Sequence, residues 1–294
     1  MSLTQPRNSD PASAPVPVTF PTLQEKKQTG RPITALTAYD CATARLVDEA
    51  GVDLILVGDS LAQVVLGYDS TLPVTVEEML HHTRAVRRAV RRAIVAADMP
   101  WGSYHLSIAD SVANAVRFVK EAGAQAVKIE GGESRAELVE RLTSAEIPVI
   151  GHLGLTPQSI HRMGGYKVQG KTPAAITTLL HDAHTLEAAG AVLIVLEGMP
   201  REVAARITSE VGIPTIGIGA GPDCDGQILV FHDLVNLSFT QPAKFVRQYG
   251  DAAALFRSAI ESYCRDVEDH SFPNDAESYH LPKQIAETLT AVKD

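Results

Sequence analysis

Eight short apolar runs alternating with amphipathic stretches predict an α/β fold, either closed as a (β/α)8 barrel or open as a doubly wound sheet. Three observations carry that expectation. The runs are almost continuously apolar, as parallel strands covered on both faces are. The stretches between them open and close on legible helix caps. The chain has 294 residues and 45% hydrophobic content, enough for one large core, and α/β barrels of this length are commonly single domains.

The expected strands are ITALTAY (33–39), LILVG (54–58), AIVAAD (93–98), AVKIEG (126–131), PVIGHLG (148–154), AVLIVLEG (191–198) and PTIGIGAG (214–221), with GQILVF (226–231) a weaker eighth. TLQEKKQ, with a Thr22–Glu25 capping box, reads as an extra N-terminal helix covering the barrel bottom. Thr75 and Glu78 form a capping box that opens TVEEMLHHTRAVRRAVRR. SIADSVANAVRFVKEAG ends at Gly123, a natural residue just past a helix end. Thr156 caps TPQS with Pro157 at the first helical position, and TPAAITTLLHDAHTLEAAG repeats that start and ends at Gly190. PREVAARITSEVG follows the same pattern. Residues 1–18, rich in Pro, Ser and Ala, read as a disordered arm. Residues 19–264 form the expected barrel, and 265–294 a polar C-terminal extension with a short helix near its end.

The formal charge of −9 gives no general attraction for nucleic acid or anionic membrane. No apolar run approaches the roughly 20 residues of a membrane span. The stretch MSLTQPRNSDPASAPVP has no apolar segment of a secretory signal, so a cytoplasmic protein is expected. Cys41, Cys224 and Cys264 are far apart and odd in number, as reduced thiols rather than a disulfide framework would be. EEMLHH carries two His and two Glu at helical spacing but is not the H-E-x-x-H zinc pattern. The stripe Arg84, Arg87, Arg88, Arg91, Arg92 reads as a solvated helix face or a subunit contact.

A barrel makes a sharper prediction, because the loops after its strands build the active face. Asp59 and Ser60 end strand 2, and Asp98 ends strand 3. Lys128 and Glu130 end strand 4, two apart and therefore on one side of it. His152 lies near the end of strand 5, Glu197 ends strand 6, and the glycines of GIGAG end strand 7. Each alone has a bland reading: an Asp after a strand is often a helix cap, and a lone His on an apolar strand is often a bonded core residue. Together they would meet at one mouth. Four crowded carboxylates raise one another's pKa unless cations are present. Lys128 offsets one charge, and oxygen-only ligands favour Mg²⁺ for the rest.

TALTAYD (34–40), LVGDSL (56–61), GYDSTLPVT (67–75), VKIEGGE (127–133), GHLGLTPQS (151–159), GGYKVQG (164–170) and GIGAG…DGQILV (216–230) occur in that order. With these motifs residues 20–265 resemble the ketopantoate hydroxymethyltransferases. The resemblance implies a (β/α)8 TIM barrel of the phosphoenolpyruvate/pyruvate-binding type, and a large homo-oligomer, a decamer. It implies transfer of a hydroxymethyl group from 5,10-methylenetetrahydrofolate to 3-methyl-2-oxobutanoate, giving 2-dehydropantoate for pantothenate synthesis through a Mg-stabilised enolate. Asp59 of the GDS motif and Asp98 of DMP would hold Mg²⁺, and Glu130 of KIEGG would complete the set, directly or through water. Asp59, Ser60, Asp98 and Lys128 would bind the 2-oxo acid, with His152 supporting substrate or its surroundings. Glu197 would take the proton from C3. HRMGGYKVQGK (161–171) could close over the site. Two departures stand out: Trp101 replaces a usual Phe, and FHDLVNLSFTQPAKF (231–245) lacks a glycine-bearing stretch. Related barrel lyases carry a catalytic cysteine in a KKCGH-like loop, which does not occur here.

Overall fold

The computed structural model describes residues 16–291, so most of the predicted arm 1–18 lies outside the described residues. Eight parallel strands close a barrel in sequence order: β1 (Ile33–Thr37), β2 (Leu54–Val57), β3 (Ile94–Asp98), β4 (Ala126–Glu130), β5 (Val149–Gly154), β6 (Leu193–Glu197), β7 (Thr215–Ile218) and β8 (Gly226–Leu229). The pairing of β8 with β1 makes the weak eighth run a full member and rules out the open sheet. Around the barrel run α1 (Phe20–Gln28), α2 (Cys41–Glu49), α3 (Val76–Ala89), α4 (Ile108–Lys120), α5 (Ala136–Ser144), α6 (Pro173–Ala188) and α7 (Arg201–Glu210). The C-terminal part carries α8 (Ala252–Glu268), which runs across residue 264, and α9 (Lys283–Ala291).

Strand alternation divides the core in two. Ile33, Ala35, Leu54, Leu56, Ile94, Ala96, Ala126, Ile150, Leu193 and Ile216 fill the barrel interior. Their neighbours Leu36, Ile55, Val57, Val95, Ala97, Val127, Ile129 and Ile194 face the helices. The interior is a packed core up to the mouth, where polar residues replace apolar ones.

The bottom is closed by α1, as the sequence predicts. Val18 and Leu23 join the interior cluster, with Phe20 against it. Lys26 Nζ lies 2.6 Å from Asp53 Oδ2, and Lys27 Nζ lies 2.8 Å from Asp225 Oδ2, so two lysines clip the helix to the starts of β2 and β8. Leu23 is 1% exposed. Leu23→Ala is expected to cost about 2–5 kcal/mol of stability through the cavity it leaves. A denaturant midpoint equal to that of the parent chain would show that α1 is not part of the core.

Three local expectations need correction. The α1 capping box is Thr19–Thr22, not Thr22–Glu25. Pro21 fits the first turn, which moves the start upstream, and Glu25 instead bonds Arg31 at 2.7 Å. Thr156 makes no cap bond, and TPQS forms only a 3₁₀ turn over Pro157–Ser159. The N–H that a cap would take there, that of Gln158, goes to Glu130 Oε2 at 3.0 Å. Finally, no helix separates β7 from β8, because the Gly-Pro-Asp-rich connection 219–225 is too short for one.

The other side features are structural. His82 donates from Nδ1 to the Tyr39 carbonyl at 2.6 Å. Arg92 of the basic stripe donates to the Gly51 and Val52 carbonyls and pairs with Asp53 at 3.2 Å. The three cysteines are free, and burial pushes the Cys224 thiol up, away from nucleophilic use. No helix among the described residues is long and apolar enough to cross a membrane.

Candidate active site

The inward-facing positions that are apolar deep in the barrel become Asp98, Lys128, Glu130, His152 and Glu197 at its C-terminal end. The strand register sets them side by side: Asp98 opposite Lys128, and Glu130 opposite His152. Glu197 is opposite Gly154. Gly154 has φ of +95°, and a Cβ there would come within 2.2 Å of the Glu197 carbonyl oxygen. Glycine is therefore what lets β5 meet the end of β6 and aim Glu197 into the mouth. Asp59 and Ser60 come from the turn after β2. All seven sequence-predicted site residues line one pocket of about 180 Å³, with Gln63, Tyr166, Val230, Asp233 and Phe245 around them.

Lys128 Nζ stands 2.8 Å from Asp98 Oδ1 and 3.8 Å from Glu130 Oε1. The first contact is an ion pair off hydrogen-bond alignment, so Asp98 Oδ1 has no hydrogen bond among the described residues. Asp98 Oδ2 accepts the Asp59 N–H at 3.0 Å. His152 lies between two carboxylates, Nδ1 at 3.3 Å from Glu130 Oε1 and Nε2 at 3.2 Å from Glu197 Oε2. Ser60 Oγ and the Tyr39 hydroxyl share a hydrogen bond of 2.8 Å. Tyr166, from the 161–171 segment, also reaches the pocket.

Burial sets the electrostatics. It pushes the Asp59 carboxyl well above the usual range, and the Asp98 and Glu130 charges add to the push. Burial alone would raise Glu130 too, but His152, Lys128 and the Gln158 N–H hold it below its ordinary value. Burial also opposes the Lys128 charge, yet Asp98, Glu130 and Asp59 outweigh it and push the ammonium up. For His152, burial and Lys128 work against the charged ring, and Glu130 and Glu197 prevail, raising it to about 9. Two cations thus knit four carboxylates that could not otherwise share one buried mouth.

Gln158 is the residue that sequence reasoning missed. It is 5% exposed. Its Nε2 donates to Asp59 Oδ2 at 2.8 Å and to the Met99 carbonyl at 3.0 Å, while Oε1 accepts from the Tyr104 hydroxyl at 2.5 Å. Tyr104 in turn accepts the Glu130 N–H at 3.1 Å. The amide has one satisfying orientation, since a flip would set its oxygen against two acceptors. One oxygen of each aspartate is therefore tied to protein, Asp59 Oδ2 by Gln158 and Asp98 Oδ2 by the Asp59 amide. Asp59 Oδ1 remains for the pocket, and Asp98 Oδ1 is shared with the Lys128 ammonium at 2.8 Å.

That donor set fits Mg²⁺, a hard cation that takes one or two carboxylates and keeps several waters. The buried Asp98 Oδ1, with no hydrogen bond and only the Lys128 ion pair, is the specific sign of it. No three His, Cys, Asp or Glu side chains among the described residues form a ready metal cluster. Glu130 is engaged on both oxygens, by His152 and Lys128 on one side and by Gln158 on the other.

Among solved structures, the chain is similar to phosphonopyruvate hydrolase in a complex with oxalate and Mg++ (TM-score 0.58, 17% identity, covering 94% of this chain and 98% of that one). It is also similar to 2,3-dimethylmalate lyase, a PEP mutase/isocitrate lyase superfamily member (TM-score 0.57, 17% identity, 95% and 96% covered). At that identity the likeness shows the shared barrel fold. The relatives in sequence are much nearer. A 3-methyl-2-oxobutanoate hydroxymethyltransferase of Koribacter versatilis (strain Ellin345) is 65% identical over 277 residues, 94% of each chain. One of Carboxydothermus hydrogenoformans (strain ATCC BAA-161 / DSM 6008 / Z-2901) is 51% identical over 272 residues, 92% of this chain and 99% of its own. The profile described as ketopantoate hydroxymethyltransferase matches residues 17–275. Over nearly its whole length, then, the chain belongs to the ketopantoate hydroxymethyltransferase family.

Proposed function

We propose that this chain transfers a hydroxymethyl group from 5,10-methylenetetrahydrofolate to 3-methyl-2-oxobutanoate, giving 2-dehydropantoate in pantothenate synthesis. The observation that carries the reading is the single small pocket in which Lys128, His152, Glu197 and the Asp59–Asp98 pair converge. A 2-oxo acid needs a cation for its carboxylate, polarisation at its keto oxygen and a base at C3. The pocket offers all three.

Asp59 and Asp98 would hold Mg²⁺ by the oxygens that face the pocket, Asp98 sharing its own with Lys128, and Glu130 would act through water. When bound, the ion supplies Lewis-acid stabilisation of negative charge developing on the substrate, worth several kcal/mol. Lys128 and Ser60 bind and orient the 2-oxo acid, Lys128 through a charge-assisted hydrogen bond. Glu197 accepts the C3 proton. Its Oε2 faces His152, while Oε1 makes no hydrogen bond among the described residues and is open to substrate. The carbanion at C3 forms the new C–C bond to the one-carbon unit, whose two C–N bonds to the folate break. One water is consumed, its OH ending as the new hydroxyl, while its other proton and the proton taken by Glu197 end on the two nitrogens of the released tetrahydrofolate. Tyr166 and its glycine-bearing segment lie where closure would exclude bulk water.

The direct test is incubation of the purified protein with Mg²⁺, 3-methyl-2-oxobutanoate and 5,10-methylenetetrahydrofolate, with 2-dehydropantoate followed by mass spectrometry. Absence of product at every donor concentration would overturn the reading. The metal sites have their own test. Asp59→Ala and Asp98→Ala should each weaken Mg²⁺ binding by tenfold or more, about one lost charge-assisted contact. Unchanged affinity by titration calorimetry in both would remove the aspartates from that role.

The same reading makes the enzyme a cytoplasmic homo-oligomer. Phe256, Ile260, Tyr263 and Val267 lie on one face of α8 and are 51%, 61%, 56% and 42% exposed. An apolar helix face of that kind marks contact with another chain. A monomer by light scattering at micromolar concentration would count against it.

A further inference from the structure

We infer that a second cavity on the rim of the mouth binds the carboxylate tail of the one-carbon donor. The inference rests on the transferase reading and extends it to a part of the molecule that reading does not assign.

Space makes the first argument. The pocket holding the carboxylates measures about 180 Å³, below the roughly 300–1,000 Å³ of sites that enclose a drug-sized ligand. It can take a small 2-oxo acid. The body of a folate must lie elsewhere on the mouth. A cavity of about 490 Å³ adjoins it, with Glu130 lining both. Its walls come from the loops after β2, β3, β4 and β5 and include Trp101, His105, Arg135, His161 and Arg162.

Charge makes the second. Several arginines of this acidic chain are neutralised by a carboxylate partner: Arg45 by Glu49, Arg117 by Glu121, Arg201 by Asp223 and Arg206 by Glu210. Arg135 and Arg162, which line this cavity together, make no ion pair among the described residues. Arg135 is fixed: its Nε donates to the Glu130 carbonyl at 3.3 Å, and its guanidinium sits 5.1 Å from the centre of the Tyr104 ring. Both contacts leave its terminal N–H groups available. Arg162 is on the exposed rim. The only carboxylate lining the cavity, that of Glu130, is engaged within the mouth by His152, Lys128 and Gln158.

The neighbouring surface makes the third. Trp101 is 51% exposed at the edge of the same cavity, with the His105 ring 6.0 Å away. A flat apolar face beside two unpaired guanidinium groups matches a ligand that joins an aromatic ring to carboxylates. A folate has that construction, an aminobenzoyl ring bearing one or more glutamates. With the tail anchored here, the one-carbon end can reach over the Thr156–Ser159 turn toward C3 of the bound acid.

The experiment compares 5,10-methylenetetrahydrofolate carrying one glutamate with the same donor carrying five. The five-glutamate form should show a KM roughly tenfold lower, the worth of one added charge-assisted hydrogen bond at a wet rim. Arg162→Ala should abolish most of that preference, with the loss falling on the donor KM rather than on kcat, and Arg162→Lys should recover part of it. Trp101, the single tryptophan of the chain, gives a reading independent of turnover. Its emission should be quenched on adding tetrahydrofolate pentaglutamate without any 2-oxo acid, and half-saturation should shift upward in Arg162→Ala. Equal KM values for the two donors, or an Arg162→Ala protein with the parent's preference and quenching curve, would overturn the subsite alone. A parent protein that turns over neither donor would instead overturn the transferase reading on which it rests.

Discussion

Glu197→Gln is expected to keep its affinity for the 2-oxo acid and to lose about 10²–10⁴-fold in rate, the usual worth of general-base catalysis. Gln preserves the shape of the side chain, so the contact with His152 Nε2, 3.2 Å in the parent, retains an acceptor. What it cannot do is take a proton. Proton removal from C3 precedes any involvement of the folate, so the defect should appear with Mg²⁺ and 3-methyl-2-oxobutanoate alone. The measurement is exchange of the C3 hydrogen for deuterium in D₂O, followed by NMR. The parent should exchange it and the variant should not. Equal exchange would remove Glu197 from the role of base.

Lys128→Met is expected to damage both binding and folding. Lys128 is 4% exposed, and its ammonium is the charge beside Asp98 and Glu130. Met keeps most of the stem and leaves buried carboxylates without their partner, a loss of about 3–5 kcal/mol in comparable buried pairs. Affinity for the 2-oxo acid should fall roughly ten- to a hundredfold with the charge-assisted bond. Removing both charges separates the two effects. Lys128→Met combined with Asp98→Asn should regain much of the stability while remaining unable to bind the acid. If thermal unfolding places Lys128→Met level with the parent, Lys128 is not the charge that holds the mouth together.

Much of this architecture is legible without coordinates because it rests on local rules. Continuous apolar runs mark strands covered on both faces, and polar residues appear where each run meets its loop. Asp98, Lys128, Glu130, His152 and Glu197 could be placed at one mouth from that alone, given a closed barrel. The role of α1 follows from its position ahead of β1. Other features depend on contacts that no local pattern encodes. Gln158 reaches Asp59 across 99 residues of sequence. In the sequence it reads as part of a helix start, since nothing nearby announces that its N–H groups serve two carboxylates from other strands. Tyr104 is hidden for the same reason. The Thr156 cap fails because Glu130 competes for the N–H it would have served. A supporting role for His152 follows from its motif, but not its place between Glu130 and Glu197, which only the register of β4, β5 and β6 defines.

The alternation along β4 also bears on how the chain avoids folding errors. Lys128 and Glu130 face the mouth, while Val127 and Ile129 face the helices. Slipping β4 by one residue against β3 and β5 would exchange the two sets. An ammonium and a carboxylate would then be pressed between strand and helix with no partner or water, at several kcal/mol each. Two branched apolar side chains would meanwhile protrude into an open polar mouth. An all-apolar β4 would tolerate that slip far better, since either face could lie against either layer. The two charges on this strand therefore act as a proofreading mark during assembly, and the barrel that closes is the one in which its chemistry is already in place.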